Sequence, residues 1–261
     1  MRFGCYLGIE QVNAAADAGY HFVELPVAAL LPERPETEFR AVEGRLSQAP
    51  IRAEVWRLHL PRDDKLTGPE VDWPRLARYA YTAIRRAAAV GGAVISFCSG
   101  PARQVPADFP EAEAVQQVCE FLRVCGASAR SQGLLVGIEP LAPAQSNLVN
   151  SLPEAVDLAR RVDMPEVGVL ASDTSILEER DCAYDVVDAA QWLTHVRVSV
   201  GGGPSAGTDR ALGEFAHALR LADYDWRVSL TAEWTDPACE LRAALERARR
   251  WFDGSQGDVS A

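Results

Sequence analysis

"LLVGIEPLAPAQSNLVNS", residues 134–151, contains an apolar run that ends on a charge. Leu134 to Ile138 have the composition of a buried strand, Glu139 closes the run and Pro140 follows at once. The residues after the proline are loop formers, and the capping box over 151–154, with Ser and Glu three apart, predicts the start of a helix. A strand, a loop and a helix in this order form one β/α unit, with a carboxylate at the end of its strand.

The same order of a short apolar run, a loop and an Ala/Leu/Arg-rich stretch recurs along the chain. The predicted strands cover residues 2–6, 21–25, 51–56, 93–97, 134–139, 167–173, 193–199 and 227–233. The predicted helices cover residues 9–18, 35–49, 73–90, 110–131, 152–162, 183–190, 209–221 and 236–252. Eight such units in about 250 residues predict an α/β protein with a closed (β/α)8 TIM barrel in a single domain.

We expect the barrel to occupy residues 1–253 and a flexible C-terminal tail, "GSQGDVSA", to occupy residues 254–261. The alternative fold is an open doubly wound sheet. A dinucleotide-binding sheet of that kind usually carries a glycine fingerprint after its first strand, and "CYLGIEQ", residues 5–11, has none.

Composition excludes several kinds of partner. The net charge of −11 and pI of about 4.9 oppose binding to phosphate backbones, so nucleic acid is not an expected partner. The six cysteines form no CxxC pair, the N-terminus lacks the long apolar segment of a secretory signal, and no run reaches membrane-spanning length. These features predict a cytoplasmic protein with reduced thiols and no membrane partner. The single lysine, Lys65, falls in a loop, which argues against a Schiff-base aldolase.

Polar side chains gather near the ends of the predicted strands, where barrel chemistry takes place. Alternation along each strand then decides which of them share the interior face. The resulting ring comprises Glu24, Glu54, Cys98, Glu139, Asp173, His195, Arg197, Ser199, Ser229, Thr231 and Glu233. Clustered carboxylates require a divalent cation, a raised pKa or an arginine. All three suit proton abstraction beside a carbonyl, which needs a base and a group that stabilises the enediolate oxygen.

Each member of this ring also has an ordinary structural explanation. Asp173 can cap the turn that follows it, and His195 can be a packed barrel histidine. Glu24 can be structural, and a Cys98–His59 nucleophilic pair competes with a simple buried thiol. Arg197 is different, because an unpaired guanidinium inside a barrel is very unfavourable and requires an anion.

At these residues the chain resembles the sugar phosphate isomerase/epimerase family of xylose isomerase-like TIM barrels, in the AP-endonuclease-2 superfamily. The resemblance covers nearly the whole chain. It is carried by "AADAGYHFVELP" (15–26), by the stretch from Lys65 to Phe109 with its "SG" after strand four, and by "GIEPLAPAQSNLVNSLPEAVDLARRV" (137–162). It implies a TIM barrel that acts on a small sugar-like molecule.

The resemblance also implies a divalent metal (Mn, Mg or Co) held by a glutamate, an aspartate, a histidine and a second glutamate. Glu139 and Asp173 match the first two ligands. In "DTSI", Ile176 stands where the family has a histidine, and in "HVRV" Arg197 stands in place of the ligand histidine. On strand eight Thr231 aligns with the second glutamate, and Glu233 lies two residues further on. The metal is therefore either held by carboxylates and water or replaced by Arg197.

These considerations predict an isomerase- or epimerase-like enzyme of carbohydrate metabolism that removes a proton next to a carbonyl of a small sugar or polyhydroxy keto compound. Glu139 is the predicted base, Glu233 the partner acid, and Arg197 the residue that organises charge with Asp173. The predicted substrate-binding residues are Ser99, Asn147, His59 and Glu24. A non-catalytic binding barrel and a lyase or dehydratase acting on a specialised metabolite stay open, as does a homodimer formed through exposed barrel helices.

Overall fold

The computed structural model describes residues 1–178, 180–201 and 206–252, without the side chains of 206–208. Eight parallel strands form a closed barrel in chain order, and β1 pairs with both β2 and β8. The strands are β1 (Arg2–Tyr6), β2 (Phe22–Pro26), β3 (Arg52–Leu58), β4 (Val94–Phe97), β5 (Leu135–Ile138), β6 (Val167–Ser172), β7 (Leu193–Ser199) and β8 (Arg227–Thr231). The predicted (β/α)8 barrel is confirmed, and the predicted tail over 254–261 lies outside the described residues.

Helices connect the strands and cover the outside of the barrel. They are α1 (Val12–Ala18), α2 (Glu36–Ser47), α3 (Trp73–Ala89), α4 (Glu111–Gln132), α5 (Leu152–Val162), α6 (Asp173–Leu177), α7 (Ala183–Asp188), α8 (Ala206–Leu221) and α9 (Pro237–Phe252). Side-chain caps begin α3 and α5, since Asp72 accepts the Arg75 N–H and Ser151 accepts the Glu154 N–H. Gly19 and Gly133 end α1 and α4 in the left-handed conformation that glycine adopts without strain.

Strands β6 and β8 end earlier than the sequence predicted. β6 ends at Ser172, whose hydroxyl accepts the Thr174 N–H, so Asp173 begins the short helix α6 instead of closing a strand. β8 ends at Thr231, the last residue paired with β7, so Glu233 follows in a loop. The strand alternation that placed Glu233 on the face of Thr231 therefore does not extend to it.

The barrel interior changes from apolar to polar along its axis. Phe22, Val55 and Val94 fill one layer, and a Cβ at Gly4 would come within 2.2 Å of the Phe22 ring. Towards the carboxyl ends of the strands, the buried side chains are instead Glu24, Ser96, His195, Arg197 and Ser229. The fold thus supports a polar cluster on an apolar base, below the face where barrel sites form.

One residue of the predicted ring lies at the opposite end of the barrel. Glu54 binds Arg2 at 2.6 Å and Arg227 at 2.6 Å, the first residues of β1 and β8. The expectation that Glu54 faces the mouth is wrong. β3 was predicted to end at residue 56 but continues to Leu58, so Glu54 is its third residue and lies in the amino-terminal half of the strand. The pairing of β2 with β3 also shifts by one residue beside Glu24, an irregularity that leaves no signal in the sequence.

Of the helices in the described part of the chain, none is long and apolar enough to cross a membrane.

Candidate active site

Arg197 is at the centre of the polar cluster. Its side chain is buried on β7, and Nη1 donates to Oε1 of Glu139 at the end of β5. Nη2 donates to Oε1 of Glu24 on β2 at 2.5 Å and to Oγ of Ser96 on β4 at 2.8 Å. One guanidinium therefore joins four strands. The two carboxylates outweigh the effect of burial and raise the pKa of Arg197, which keeps it charged.

Glu139 has one occupied and one free oxygen. Oε1 receives Arg197 and lies 3.6 Å from Nη2 of Arg57 on β3, whereas the buried Oε2 accepts no hydrogen bond from a described residue. Burial acts to raise the pKa of Glu139, but Arg197 and Arg57 outweigh it and the net pKa is lowered. Glu139 is thus ionised at neutral pH, with a carboxylate oxygen that no neighbour holds.

Glu24 and His195 form the deeper part of the cluster. Both side chains are fully buried, and Nε2 of His195 lies 3.5 Å from Oε2 of Glu24 and 2.9 Å from Oγ of Ser229. Burial lowers the pKa of His195, which leaves the imidazole neutral at pH 7. Burial opposes ionisation of Glu24, yet Arg197 and His195 hold the pKa of Glu24 well below its usual range. Glu24 serves as the counter-ion of Arg197 in this arrangement.

His59 and Cys98 meet at the rim beside Arg57. Nε2 of His59 lies 3.3 Å from the Cys98 Sγ, at the point where β3 and β4 end. Burial raises the pKa of the Cys98 thiol to about 12, and desolvation together with Arg57 lowers the pKa of His59. A neutral thiol next to a neutral imidazole lacks the charge separation of an activated nucleophile.

Ser99 and Asn147, both predicted to contact substrate, bond to the backbone of the rim. The Ser99 hydroxyl donates to the Leu58 carbonyl and accepts the Leu60 N–H, both at 3.0 Å. The Asn147 amide accepts the Val105 N–H at 2.8 Å and donates to the Val105 carbonyl at 3.0 Å. These bonds fix the loops after β3, β4 and β5, and the substrate roles of the two side chains stay predictions.

Asp173 forms part of the wall between β6 and β7. Its Oδ1 accepts the Ser199 N–H at 2.8 Å, and no ion pair joins it to Arg197 in the described structure. Burial raises the pKa of Asp173 to about 7 despite this hydrogen bond. Ile176, at the position of a family histidine, is buried in the apolar core.

Glu233 and Thr231 occupy different surroundings near the end of β8. Glu233 is exposed, whereas Thr231 is half-buried and donates a long hydrogen bond of 3.4 Å to the Val198 carbonyl. The structure therefore brings together Glu24, Glu139 and Arg197 among the predicted site residues, with His59 nearby and Glu233 exposed in its loop.

Arg57 is a site residue that the sequence reasoning missed. Its guanidinium lies 4.8 Å from the centre of the Tyr6 ring, and its side chain is one-fifth exposed. Alternation from Glu54, which the sequence placed on the interior face, assigns Arg57 to the exterior face. The one-residue shift beside Glu24 instead places Arg57 on the same face as the interior Val55, and the predicted strand over 51–56 ended before Arg57.

The residues around Glu139 do not suit a divalent ion. Within the described ranges, no group of three or more His, Cys, Asp or Glu side chains could hold a metal. Glu139 already faces two guanidinium groups, whose charges would repel a divalent ion at that carboxylate. Buried Arg197 and partly exposed Arg57 balance the buried carboxylates of Glu24 and Glu139 here.

The fold and this rim define a TIM barrel with a charged interior cluster at the carboxyl ends of its strands. The family model described as xylose isomerase-like TIM barrel matches residues 12–253, and the chain belongs to that family. A search of curated protein sequences found no significant match.

Solved structures of sugar epimerases share this fold. D-allulose 3-epimerase from Methylomonas sp. in complex with D-allulose superposes with a TM-score of 0.81 at 17% identity, covering 97% of each chain. 3-Keto-D-glucoside 4-epimerase YcjR from E. coli gives 0.76 at 19% identity, covering 95% of this chain and 99% of that one. The IolI protein with a bound zinc atom gives 0.70 at 12% identity, covering 97% of each. At these identities the likeness establishes the shared fold.

Proposed function

We propose that this protein is an isomerase- or epimerase-like enzyme that removes a proton next to a carbonyl of a small sugar or polyhydroxy keto compound. One observation carries the proposal: Glu139 lies at the end of β5 with Oε1 bound to arginine and Oε2 without a hydrogen bond from any described residue. A fixed carboxylate with one oxygen available is suited to take a proton from carbon. Kinship to the xylose isomerase-like family supports the same reaction class.

The arginines supply the positive charge that the reaction requires. A carbanion beside a carbonyl places negative charge on oxygen, and a guanidinium stabilises that oxygen through charge-assisted hydrogen bonds. Arg57 is the partly exposed cation next to Glu139, so we assign to it the positive charge that the enediolate faces. In this proposal Arg197 takes the place of the metal that the family resemblance implies, and it holds Glu139 and Glu24 in position.

The lowered pKa of Glu139 affects the proposed reaction in two opposite ways. A carboxylate beside two arginines is a weaker base, which slows proton removal. The same arginines lower the energy of the enediolate, which favours it. The role of Glu233 as the second proton-transfer group stays a prediction. Glu233 is exposed near the end of β8 and would have to approach the bound substrate to act as the partner acid.

Exchange of carbon-bound hydrogen tests the proposal. Wild-type protein is incubated in heavy water with D-allulose, D-fructose, D-tagatose, dihydroxyacetone and hydroxypyruvate, and deuterium uptake is followed by NMR. We expect one of these compounds to exchange with the wild type and the Glu139→Gln variant to be slower by about 10²-fold or more. Glu166→Gln is the matched control, because Glu166 pairs with Arg130 away from the barrel interior. Equal exchange by Glu139→Gln and the wild type would remove Glu139 as the base.

A non-catalytic binding barrel is the second candidate. The observation that favours it is the burial of both carboxylates against Arg197, which resembles a structural ion-pair network. It predicts ligand binding without deuterium uptake, and unchanged affinity in Glu139→Gln. A lyase or dehydratase begins with the same proton removal, and loss of a hydroxyl group from the product distinguishes it from an isomerase.

A further inference from the structure

Arg57 is a partly exposed arginine with few hydrogen-bond partners among the described residues. Its closest carboxylate oxygen is Oε1 of Glu139 at 3.6 Å, which is beyond hydrogen-bond distance, and Arg197 already donates to that oxygen. Nε of Arg57 is buried and donates to no described residue. The Tyr6 ring lies 4.8 Å from the guanidinium and offers it no acceptor in its plane. Arg57 therefore has hydrogen-bond donors that the described residues leave unsatisfied.

These surroundings indicate a ligand-binding arginine. An arginine held only for stability normally has its N–H groups paired, because burying them unpaired is costly. Arg86 illustrates the structural case, since its two terminal nitrogens donate to the carbonyls of Leu30 and Arg34 at 3.1 and 2.9 Å. Arg57 keeps one-fifth of its side chain exposed at the mouth, where a substrate could reach it.

His59 provides a second donor next to Arg57. It lies two residues further along the chain, just past the end of β3, and its Nε2 is 3.3 Å from Sγ of Cys98. Its backbone is fixed, because the Tyr79 hydroxyl donates to the His59 carbonyl at 3.2 Å and Ser99 binds the adjacent Leu58 carbonyl. A neutral imidazole donates one hydrogen bond without adding a fixed charge. Arg57 and His59 together thus offer a planar fork and a single donor on one side of the mouth.

We propose that Arg57, with His59 beside it, binds a carboxylate group of the substrate, so that this site takes polyhydroxy keto acids in preference to neutral sugars. The inference rests on the proposed function and names the substrate class of the same site. The guanidinium edge matches the two oxygens of a carboxylate. A phosphate dianion would bring more charge towards Glu139 and needs more donors than one fork and one imidazole supply.

Calorimetric titration of the full chain tests this preference. Three probes share a three-carbon 2-keto skeleton, namely hydroxypyruvate, dihydroxyacetone and dihydroxyacetone phosphate. Three hexose probes share another, namely D-fructuronate, D-fructose and D-fructose 6-phosphate. In at least one of the two sets, we expect the acid to bind about tenfold more tightly than the neutral compound, because one charge-assisted contact has an effect of this size. The preference should be lost in Arg57→Gln and partly retained in Arg57→Lys, and Arg160→Gln is the exposed control.

NMR of the histidine rings locates the bound acid. The chain has four histidines, so His59 is assigned with a His59→Gln variant. We expect the carboxylate probe to shift the His59 signals and to leave those of exterior His217 in place. Binding of all probes with equal affinity, tighter binding of the phosphates, failure of every carboxylate to bind, or an unchanged preference in Arg57→Gln would each overturn the inference.

The two proposals fail separately. Carboxylate binding at Arg57 without deuterium uptake from any probe would support the carboxylate subsite and contradict the proposed enzymatic activity. Deuterium uptake from a neutral sugar whose affinity equals that of the corresponding acid would support the proposed enzymatic activity and contradict the carboxylate subsite.

Discussion

The guanidinium of Arg197 lies 2.5 Å from Oε1 of Glu24, although their strands, β7 and β2, are not neighbours in the sheet. The same guanidinium binds Glu139, so one cation neutralises two buried carboxylates inside the barrel. The cluster therefore couples stability to the candidate chemistry: the base is held by the residue that balances its charge.

Removal of Arg197 should be more costly than removal of the whole cluster. Arg197→Met leaves Glu24 and Glu139 buried without their main counter-ion, and we expect it to lower the free energy of unfolding by about 3–5 kcal/mol. The triple variant that adds Glu24→Gln and Glu139→Gln should recover part of this loss. Urea unfolding followed by tryptophan fluorescence measures both, with Arg160→Met as the exposed control. A loss in Arg197→Met as small as in the control would contradict this account.

Asp173 should make the free energy of unfolding depend on pH in the range between the ordinary pKa of its carboxyl group and the raised pKa in the folded protein. Burial raises the pKa of Asp173 from 3.8 to about 7, so the folded state takes up its proton more readily than the unfolded state. As pH rises from about 4 to 7, ionisation of Asp173 removes up to about 4 kcal/mol of stability. We expect Asp173→Asn to be progressively more stable than the wild type over this range. Asp157→Asn is the exposed control, and a constant difference across the range would disprove the effect.

The lowered pKa values of Glu24 and Glu139 act in the opposite direction at lower pH. A carboxyl group whose folded pKa is depressed contributes stability above its ordinary pKa and loses it as pH falls. We expect the unfolding free energy of the wild type to fall below about pH 4.5, and this fall to be smaller in the triple variant of Arg197, Glu24 and Glu139. Unfolding curves at successive pH values measure it, and equal acid sensitivity of the two proteins would be the contrary result.

Metal content should be low if Arg197 takes the place of the ion. We expect elemental analysis of purified protein to find well under one equivalent of Mn, Mg, Co or Zn, and chelator treatment to leave the melting temperature unchanged. The physical reason is the two guanidinium groups that already face Glu139. One stoichiometric equivalent that is lost on chelation together with stability would refute the arginine replacement.

Thiol labelling distinguishes a buried Cys98 from an activated one. Cys182 and Cys239 are exposed, and the other four cysteines are buried. Burial raises the pKa of Cys98 to about 12, so little thiolate forms beside His59. We expect two of the six thiols to react quickly with an aromatic disulfide reagent in the native state and all six after unfolding. A third fast thiol that disappears in Cys98→Ser would restore the nucleophilic pair.

Prediction from the sequence was most successful for the repeating units. Apolar runs and helix caps located all eight strands, because burial periodicity and capping act over a few neighbouring residues. The short helix α6 was missed, since its first residue, Asp173, was assigned to the strand and the residues after it to a turn. Glu54 was placed at the wrong rim because β3 extends to Leu58, two residues beyond the predicted end, which leaves Glu54 near the start of the strand.

The sequence by itself determined that a guanidinium and carboxylates converge inside one barrel, since strand periodicity and strand ends assign Arg197, Glu139 and Glu24 to the interior. Only the tertiary structure decided which oxygen of Glu139 is held, that Arg57 stands beside it and that Asp173 bonds to β7 instead. The reason is that ion pairs and hydrogen bonds depend on distances of a few tenths of an ångström. Arg197 and Glu24 lie 173 positions apart, and local patterns cannot specify such a distance.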